Sequence, residues 1–428
     1  MLAGTEDGNI TPIWAKMTAE IVTIGDEILT GHTVNTNAAF IGERLTEIDC
    51  RVLRETAVGD DVAAITAVFR EALARAEVVI ATGGLGPTHD DVTRTAVVEA
   101  FDRPLAINHK VRESLEAFFA ARGRALDKIN EAQALLPAGA DFVPNNVGTA
   151  VGIHLIEKKR HFYALPGVPA EMRPMITDHI IPFLKTLSVL KTAHGVLYTT
   201  GKPESKLYEM LRPVLDKYPQ VKVAFLPGFD GVKIQYSAAL GTLEESERAL
   251  NQWRADTQEI LGNVIYSETE GGVELVIGSM LQEKGATMAI AESCTGGLIA
   301  WRITEIPGSS EYFVRGYVTY SNESKSDLLG VDPGVIEAEG AVSEVVARQM
   351  AEGARAGSGA EYAIAVTGIA GPTGGTADKP VGLTYVALAG GGATVCRKYQ
   401  LGTDRSTNRQ RASQAALNLL RERLLGVV

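Results

Sequence analysis

The sequence has few cysteines, no long apolar run and no excess of basic charge. Its three cysteines, Cys50, Cys294 and Cys396, are too few and too scattered for a disulfide framework or a CxxC zinc site. No apolar run is long enough to cross a membrane, and residues 1–16 lack the basic start and apolar core of a secretion signal. These absences predict a cytoplasmic protein with no membrane partner.

The charge balance disfavours a general nucleic-acid binder. The net charge is −11, whereas binding to nucleic acid needs a basic surface that displaces phosphate counterions. A few arginines can still hold one phosphate locally, so small anionic substrates remain compatible with this charge.

Histidine is absent from the second half of the chain. All seven histidines lie before residue 195. Any chemistry in the C-terminal region must therefore proceed without a histidine of its own.

The length and composition indicate a globular α/β protein of several domains. The chain has 428 residues, a length that exceeds what one hydrophobic core usually accommodates. Its composition, 45% hydrophobic and 22% charged, is typical of globular proteins. Its hydrophobic patterns divide into segments at 17–188, 189–268 and 269–428.

In the first segment, short β-branched runs alternate with helical periods. This alternation predicts a parallel sheet with helical crossovers, whose ligands bind beyond the carboxyl ends of the strands. Two acidic loops, "GDEIL" at 25–29 and "TGGLGPTHDDVT" at 82–93, follow predicted strands and so lie at that edge.

The middle segment predicts a small α+β domain. Its pattern gives a helix over 204–218, a hairpin across "PGFDG" and a second helix over 243–261. Gly228 and Gly231 spell a GxxG, as in KH modules. However, a KH clamp joins two helices and brings cations to RNA, while this loop joins strands and carries Asp230. A KH-like spacer is therefore preferred over an RNA-binding module.

The C-terminal segment is again α/β. It predicts strands before "AESCTGG" and at "YFVRGYVTYS", "YAIAVTG", "GLTYVALA" and "ATVCRKYQL", and a final helix over 405–424.

The two acidic loops form the first candidate site. The glycines let the backbone approach a ligand, and amides at the following helix start favour phosphate. Nearby carboxylates would repel a phosphate unless a divalent cation intervened. Asp26, Glu27, Asp90 and Asp91 therefore predict a magnesium or manganese site, although Asp90 and Asp91 could instead cap the helix.

The stretches "VTIGDEILTGHTVNTN", "ATGGLGPTHDDVT" and "LPGVPAEM" resemble the molybdopterin-binding fold of the MoaB and MoeA families, and more closely the N-terminal domain of the CinA family of competence/damage-inducible proteins. The resemblance covers most of residues 19–180. It implies hydrolysis of ADP-ribose to AMP and ribose 5-phosphate with Mg, Mn or Co held by Asp26, Glu27, Asp90 and Asp91. The ADP-ribose contacts that it implies are Gly25, Asn37, Gly83, Gly84, Gly86 and Thr93.

Pterin chemistry is disfavoured because the loop reads THDD, where the MoaB-like pattern has an arginine before its aspartate. A domain that binds a nucleotide or pterin without hydrolysing it remains an alternative.

The second candidate site is "AESCTGG", residues 291–297, between two apolar runs. Ser293 is either a helix cap or a nucleophile, and a nucleophilic serine needs a base. Lys325 in "YSNESK" is the candidate, because burial can lower a lysine pKa enough for it to act as a base. Tyr320 could relay or hold the proton. Cys294 is the competing nucleophile, but it would need a cation and a histidine partner.

Other groups could surround this serine. The amides of Thr295, Gly296 and Gly297 could form an oxyanion hole, and Thr367 ends a strand before a second glycine-rich loop. Arg405 and Arg409 lie four residues apart on one helix face, where they could hold a phosphate or simply face solvent.

The set AESCTGG, GSS, TYSNESK, TGIAGPTGG and DRSTNR is similar to the C-terminal domain of the CinA family and to its stand-alone relative, nicotinamide mononucleotide (NMN) deamidase. The five motifs occur in order over residues 272–424. The resemblance implies hydrolysis of NMN to nicotinate mononucleotide and ammonia by Ser293, Lys325 and Tyr320, with no cofactor. The NMN contacts that it implies are Thr295, Gly296, Gly297, Ser310, Thr367, Gly368, Arg405 and Arg409.

The sequence thus predicts a pyridine-nucleotide salvage hydrolase with two sites. The expected partners are the small molecules NMN and ADP-ribose and a second copy of the chain in a homodimer, with no nucleic acid. A competence-linked binding protein is the alternative of a different class, and ammonia release from NMN distinguishes the two.

Overall fold

The computed structural model divides into two compact units, which meet in sequence between Thr192 and Ala193. The second unit holds both the predicted middle segment and the C-terminal segment. No helix among the residues that the structure describes is long and apolar enough to cross a membrane. The structure describes residues 17–86, 88, 91–187, 192–269 and 271–428.

A six-stranded sheet forms the centre of the first unit. Its strands are β1 (Thr18–Ile24), β2 (Arg51–Val58), β3 (Val78–Thr82), β6 (Asp141–Val143), β7 (Gly152–Glu157) and β8 (Arg160–Leu165), while β4 (Leu105–Ile107) and β5 (Leu135–Pro137) form a separate pair. The order is β2-β1-β3-β8-β7-β6. The first four strands are parallel to one another, and β7 is antiparallel to both of its neighbours, β8 and β6. The carboxyl ends of the four parallel strands therefore share one edge.

Helices cover both faces of this sheet. They are α1 (Asp26–Leu29), α2 (Thr36–Glu47), α3 (Val62–Arg75), α4 (Thr93–Phe101), α5 (His109–Ala120), α6 (Lys128–Glu131), α7 (Pro169–Pro174) and α8 (Ile181–Leu187), with a π-helical stretch, Met175–Ile180, between α7 and α8. One apolar cluster packs α3, α4 and α5 on one face, and another packs α2 and the 169–187 helical segment on the other. β1 and β3 are consequently buried almost throughout, as central parallel strands are.

The second unit begins with an antiparallel sheet and two helices. The elements are β9 (Ala193–Thr199), α9 (Glu204–Lys217), β10 (Lys222–Pro227), β11 (Val232–Ala238), α10 (Leu243–Leu261) and β12 (Ile265–Ser267), with strand order β10-β11-β9-β12. Thr242 and Glu245 form a reciprocal capping box at the start of α10. Trp253 of α10 is fully buried against Tyr236, and the GxxG lies in the turn between β10 and β11.

A five-stranded sheet forms the rest of the second unit. The elements are α11 (Val273–Lys284), β13 (Met288–Glu292), α12 (Leu298–Thr304), β14 (Phe313–Val318), α13 (Asn322–Leu329), α14 (Pro333–Glu339), α15 (Glu344–Ser358), β15 (Tyr362–Gly368), β16 (Leu383–Ala389), β17 (Val395–Gln400) and α16 (Arg405–Leu424). The order is β14-β13-β15-β16-β17. The first three strands are parallel to one another, and β16 is antiparallel to both of its neighbours, β15 and β17. Helices α11, α12 and α16 cover one face and α15 covers the other. This architecture confirms the predicted α/β fold class.

Candidate functional sites

The turn that holds Ser293 joins the end of β13 to the start of α12. Gly296 and Gly297 adopt φ values of 59° and 90°, a left-handed conformation that glycine adopts without a steric penalty. The Glu292 carboxylate caps α12 by accepting from the amides of Ile299 (3.1 Å) and Ala300 (2.9 Å). Since Gly297 occupies the N-cap position and Glu292 supplies the cap, Ser293 is not the helix cap.

Ser293 and Lys325 meet in the interior of the second unit. Lys325 Nζ donates to Ser293 Oγ at 3.1 Å and to the Thr319 carbonyl at 2.8 Å. Only 9% of Ser293 and 1% of Lys325 are exposed. Burial lowers the pKa of Lys325, and the nearby Cys294 acts in the opposite direction. A lysine with a lowered pKa can lose its proton and then accept the hydroxyl proton of Ser293.

Cys294 is the alternative nucleophile next to Ser293. Its burial raises the pKa of the thiol to about 11, and Glu292 contributes in the same direction. A thiol with this pKa is protonated near neutrality and is a poor nucleophile. The Ser293 hydroxyl is also protonated near neutrality, but it has a base within hydrogen-bond distance in Lys325, and this contact favours Ser293 over Cys294.

The Tyr320 hydroxyl is held by Arg405. Arg405 donates from Nη2 to this hydroxyl at 3.0 Å and from Nη1 to the Gly371 carbonyl at 3.0 Å. Only the main-chain carbonyl of Tyr320 approaches Lys325 Nζ, at 3.4 Å. The hydrogen bond of the hydroxyl is thus with Arg405, and 60% of the residue is exposed. A proton relay through Tyr320 stays a prediction.

Arg409 contacts the turn that carries Ser293. It donates from Nε (3.2 Å) and Nη2 (2.7 Å) to the carbonyl of the buried Thr295. The Gly296 amide, predicted as an oxyanion donor, donates instead to the Ser293 carbonyl at 3.1 Å. The Arg409 guanidinium and the Gly296 amide, both predicted to contact the substrate, therefore form hydrogen bonds to carbonyl groups of the turn that carries Ser293.

The remaining predicted NMN contacts have different surroundings. The Thr367 hydroxyl donates to the Ala341 carbonyl at 2.8 Å, which fixes the loop before α15. Gly368 packs so closely on β16 that an added Cβ would lie 2.7 Å from Thr384 Oγ1. Ser310 is exposed on a short 3-10 turn. Thr367 and Gly368 therefore support the strand end.

The first unit has a cavity of about 240 Å³ at the shared carboxyl edge of its parallel strands. Six of the residues predicted for this site line the cavity: Gly25, Glu27, Asn37, Gly83, Gly84 and Asp91. Asp60, which is not among the residues predicted from the sequence, also lines the cavity. Asp60 follows β2, so its place after a parallel strand was the available signal.

Asp26, Glu27 and Asp91, the three predicted metal-binding carboxylates that the structure describes, do not form a metal-binding cluster among the described residues. Asp26 lies outside the lining and pairs with Asp60 instead: the Asp26 amide donates to Asp60 Oδ2 (3.0 Å) and the Asp60 amide to Asp26 Oδ1 (3.2 Å). Asp91 accepts from the Thr88 amide at 2.8 Å and from its hydroxyl at 2.5 Å. Within the described ranges no three histidine, cysteine or carboxylate groups are arranged to hold one metal ion, and Asp90 lies outside those ranges.

Several predicted ADP-ribose contacts instead build the cavity wall. The side-chain Nδ2 of Asn37 donates to the Gly167 carbonyl at 2.7 Å, and the Thr93 hydroxyl donates to the Gly83 carbonyl at 2.7 Å. An added Cβ on Gly83 would lie 2.0 Å from the Ile24 carbonyl, and one on Gly86 would lie 2.5 Å from Asp91 Oδ2. Gly83 and Gly86 therefore leave no room for a larger side chain, and Asn37 and Thr93 are fixed by their hydrogen bonds.

The chain matches three family models in order. Residues 20–186 match a model described as a probable molybdopterin binding domain, residues 194–267 the damage-inducible protein CinA KH domain, and residues 271–424 the CinA C-terminal domain. The protein is therefore of the class that joins a molybdopterin-binding-like domain to a KH domain and a CinA C-terminal domain. The KH match confirms the KH-like middle domain, although its GxxG joins two strands.

Named relatives match this chain over nearly their whole length. A CinA-like protein of Geobacter sulfurreducens is 41% identical, over 94% of this chain and 98% of its own. A CinA-like protein of Chlorobium limicola is 41% identical, over 94% of this chain and 96% of its own. The chain belongs to the CinA family. Among solved structures, the competence/damage inducible protein CihA of Agrobacterium tumefaciens is 42% identical and covers 37% of this chain and 98% of its own, with a TM-score of 0.35.

Proposed function

We propose that the C-terminal site hydrolyses the carboxamide of NMN. The observation that carries the proposal is the contact between Lys325 Nζ and Ser293 Oγ, at 3.1 Å inside the fold. The five motifs that resemble the NMN deamidase family, in the same order, support NMN as the substrate.

The chemistry needs only the side chains of this site. Ser293 Oγ bonds to the carboxamide carbon while its proton passes to the neutral amine of Lys325. The tetrahedral intermediate then collapses, the C–N bond breaks, and Lys325 returns the proton to the leaving ammonia. Water then bonds to the acyl carbon as its proton passes to Lys325, the bond from this carbon to Ser293 Oγ breaks, and Lys325 returns the proton to Oγ as nicotinate mononucleotide leaves.

A second activity is proposed for the cavity of the first unit. Glu27, Asp60 and Asp91 line it, and their oxygen atoms are ligands that Mg²⁺ and Mn²⁺ prefer. Magnesium is often held by one or two carboxylates together with substrate phosphates, so this donor set fits a cation that binds with a diphosphate. When bound, such a cation would neutralise the charge of the diphosphate of ADP-ribose, while the glycine-rich loop gives the substrate room.

Incubation with each substrate tests both activities. The purified protein is incubated with NMN or ADP-ribose, with and without EDTA, and products are separated by chromatography. Ammonia and nicotinate mononucleotide are expected from NMN. No ammonia would favour the competence-linked binding protein, and no AMP from ADP-ribose in the presence of metal would leave a nucleotide- or pterin-binding first domain.

A further inference from the structure

Two arginines, one turn apart on α16, have different surroundings. Arg405 is exposed, and it donates to the Tyr320 hydroxyl at 3.0 Å. Arg409 is partly buried, and two of its N–H groups converge on the Thr295 carbonyl at 3.2 and 2.7 Å. Its Nη2 also lies 3.6 Å from the position that a Cβ on Gly296 would occupy. Arg409 therefore packs on residues 293–297, called here the nucleophile turn. The charged guanidinium of Arg405 is exposed at the surface instead.

The nucleophile turn needs an external restraint. It contains two consecutive glycines, whose backbone is intrinsically the most mobile of any residue type. Within the turn, the Gly296 amide donates to the Ser293 carbonyl at 3.1 Å, and the Leu298 amide donates to the Thr295 carbonyl at 3.3 Å. Ser293 must nevertheless keep its hydroxyl aligned with Lys325, because a displacement of about 1 Å can cost roughly a hundredfold in rate.

We propose that Arg409 is a positioning residue that fixes the nucleophile turn, and that the phosphate of the substrate is bound by Arg405. The proposal rests on the amide hydrolysis proposed above. The planar guanidinium of Arg409 directs two converging N–H donors at one carbonyl oxygen, which restrains the position of Thr295. Arg405, with its exposed charge beside Tyr320, is the member of the pair that a phosphate can reach.

Kinetics with two substrates separate these roles. Arg409→Ala is expected to lower kcat by about 10-fold to 100-fold on both NMN and nicotinamide riboside, with similar KM values. Arg405→Ala is expected to raise KM for NMN about tenfold or more and to leave KM for nicotinamide riboside nearly unchanged, because the riboside lacks the phosphate. A selective rise in KM for NMN in Arg409→Ala would overturn the proposal.

Two further variants exclude a simple loss of folded protein. Arg409→Lys keeps the positive charge on a single donor nitrogen and is expected to recover part of the lost kcat, which a nonspecific folding defect would not show. Arg411→Ala removes another exposed arginine of the same helix and should behave as the wild type. Equal kcat in Arg409→Ala and Arg411→Ala would exclude a positioning role.

A substrate-independent probe distinguishes this proposal from the proposed function. A fluorophosphonate forms a bond from phosphorus to Ser293 Oγ, fluoride leaves, and the serine proton passes to Lys325. Mass spectrometry should show labelling of Ser293 in the wild type and about tenfold slower labelling in Arg409→Ala. Labelling without NMN turnover would refute only the amidase activity, whereas equal labelling rates in Arg409→Ala and wild type, or an unlabelled wild-type Ser293, would refute the positioning role.

Discussion

The buried amine of Lys325 lies close to three main-chain carbonyl oxygen atoms. Its Nζ approaches the carbonyls of Thr319 (2.8 Å), Tyr320 (3.4 Å) and Ser321 (3.4 Å). Desolvation disfavours the ammonium form, while these oxygen atoms hold the nitrogen beside Ser293. A lysine in this environment can replace the histidine that the C-terminal region lacks.

The pH dependence of NMN hydrolysis should report this lysine. The base is active when neutral, so kcat/KM should rise with pH through the Lys325 pKa, which burial places below the usual lysine value. The rise should disappear in Lys325→Ala. Steady-state rates from about pH 6 to 10 check this prediction, and an unchanged profile in Lys325→Ala would assign the base to another group.

Substitution of the nucleophile and base should show that they act as a unit. Ser293→Ala, Lys325→Ala and the double variant should each lose about a thousandfold or more in kcat on NMN, because losses in such a pair do not add. Cys294→Ala should keep appreciable activity, since its thiol is protonated near neutrality.

The ADP-ribose hydrolysis proposed for the first unit should survive all four changes, because none of them lies in that unit. An inactive Cys294→Ala with an active Ser293→Ala would mean that the nucleophile is misassigned by one residue.

At the scale of the element, Glu292 couples a strand end to a helix start. This residue is 1% exposed, and both carboxylate oxygens accept from amides in the first turn of α12. Glu292→Gln places an amide NH₂ against a helix donor and should reduce the free energy of unfolding by about 2 kcal/mol. Urea denaturation measures this loss, with Glu305→Gln, an exposed change at the other end of α12, as control. Equal stability of both variants would contradict the capping role.

Helices and strands with strong periodicity were predictable from the sequence. The predicted bounds of α10, β15 and α16 agree with the structure. The apolar spacing of α10 follows one buried face, whereas β15 is a continuous apolar run because it is buried on both faces. The antiparallel ends of both large sheets were not predicted. Periodicity reports which residues are buried, but the direction of a neighbouring strand depends on pairing over long sequence distances.

The candidate sites were predictable in part for a similar reason. Ser293 and Lys325 follow adjacent strands, so topology brings them together, as expected. The roles of Arg409 and Asn37 could not be predicted, because a polar side chain at a loop can bind either a ligand or a backbone carbonyl. Only the three-dimensional positions of Thr295 and Gly167 distinguish these alternatives.

For the whole molecule, the two proposed activities should respond differently to chelation. EDTA should abolish ADP-ribose hydrolysis, which we assign to a metal-assisted site, and leave NMN hydrolysis unchanged, since Ser293 and Lys325 need no metal. Product chromatography measures both. Equal loss of the two activities would contradict the assignment of metal to the first unit alone.

The contrast between Trp253 and Trp301 gives the second unit two separate optical reporters. Trp253 is fully buried in α10, while Trp301, in the helix that follows the nucleophile turn, is 57% exposed. Iodide should therefore quench the fluorescence of a Trp253→Phe variant efficiently and that of a Trp301→Phe variant weakly. Trp14, outside the described ranges, is replaced by phenylalanine in both. With this assignment, the emission of Trp301 can follow events near Ser293, and the red shift of Trp253 can follow the opening of the KH core.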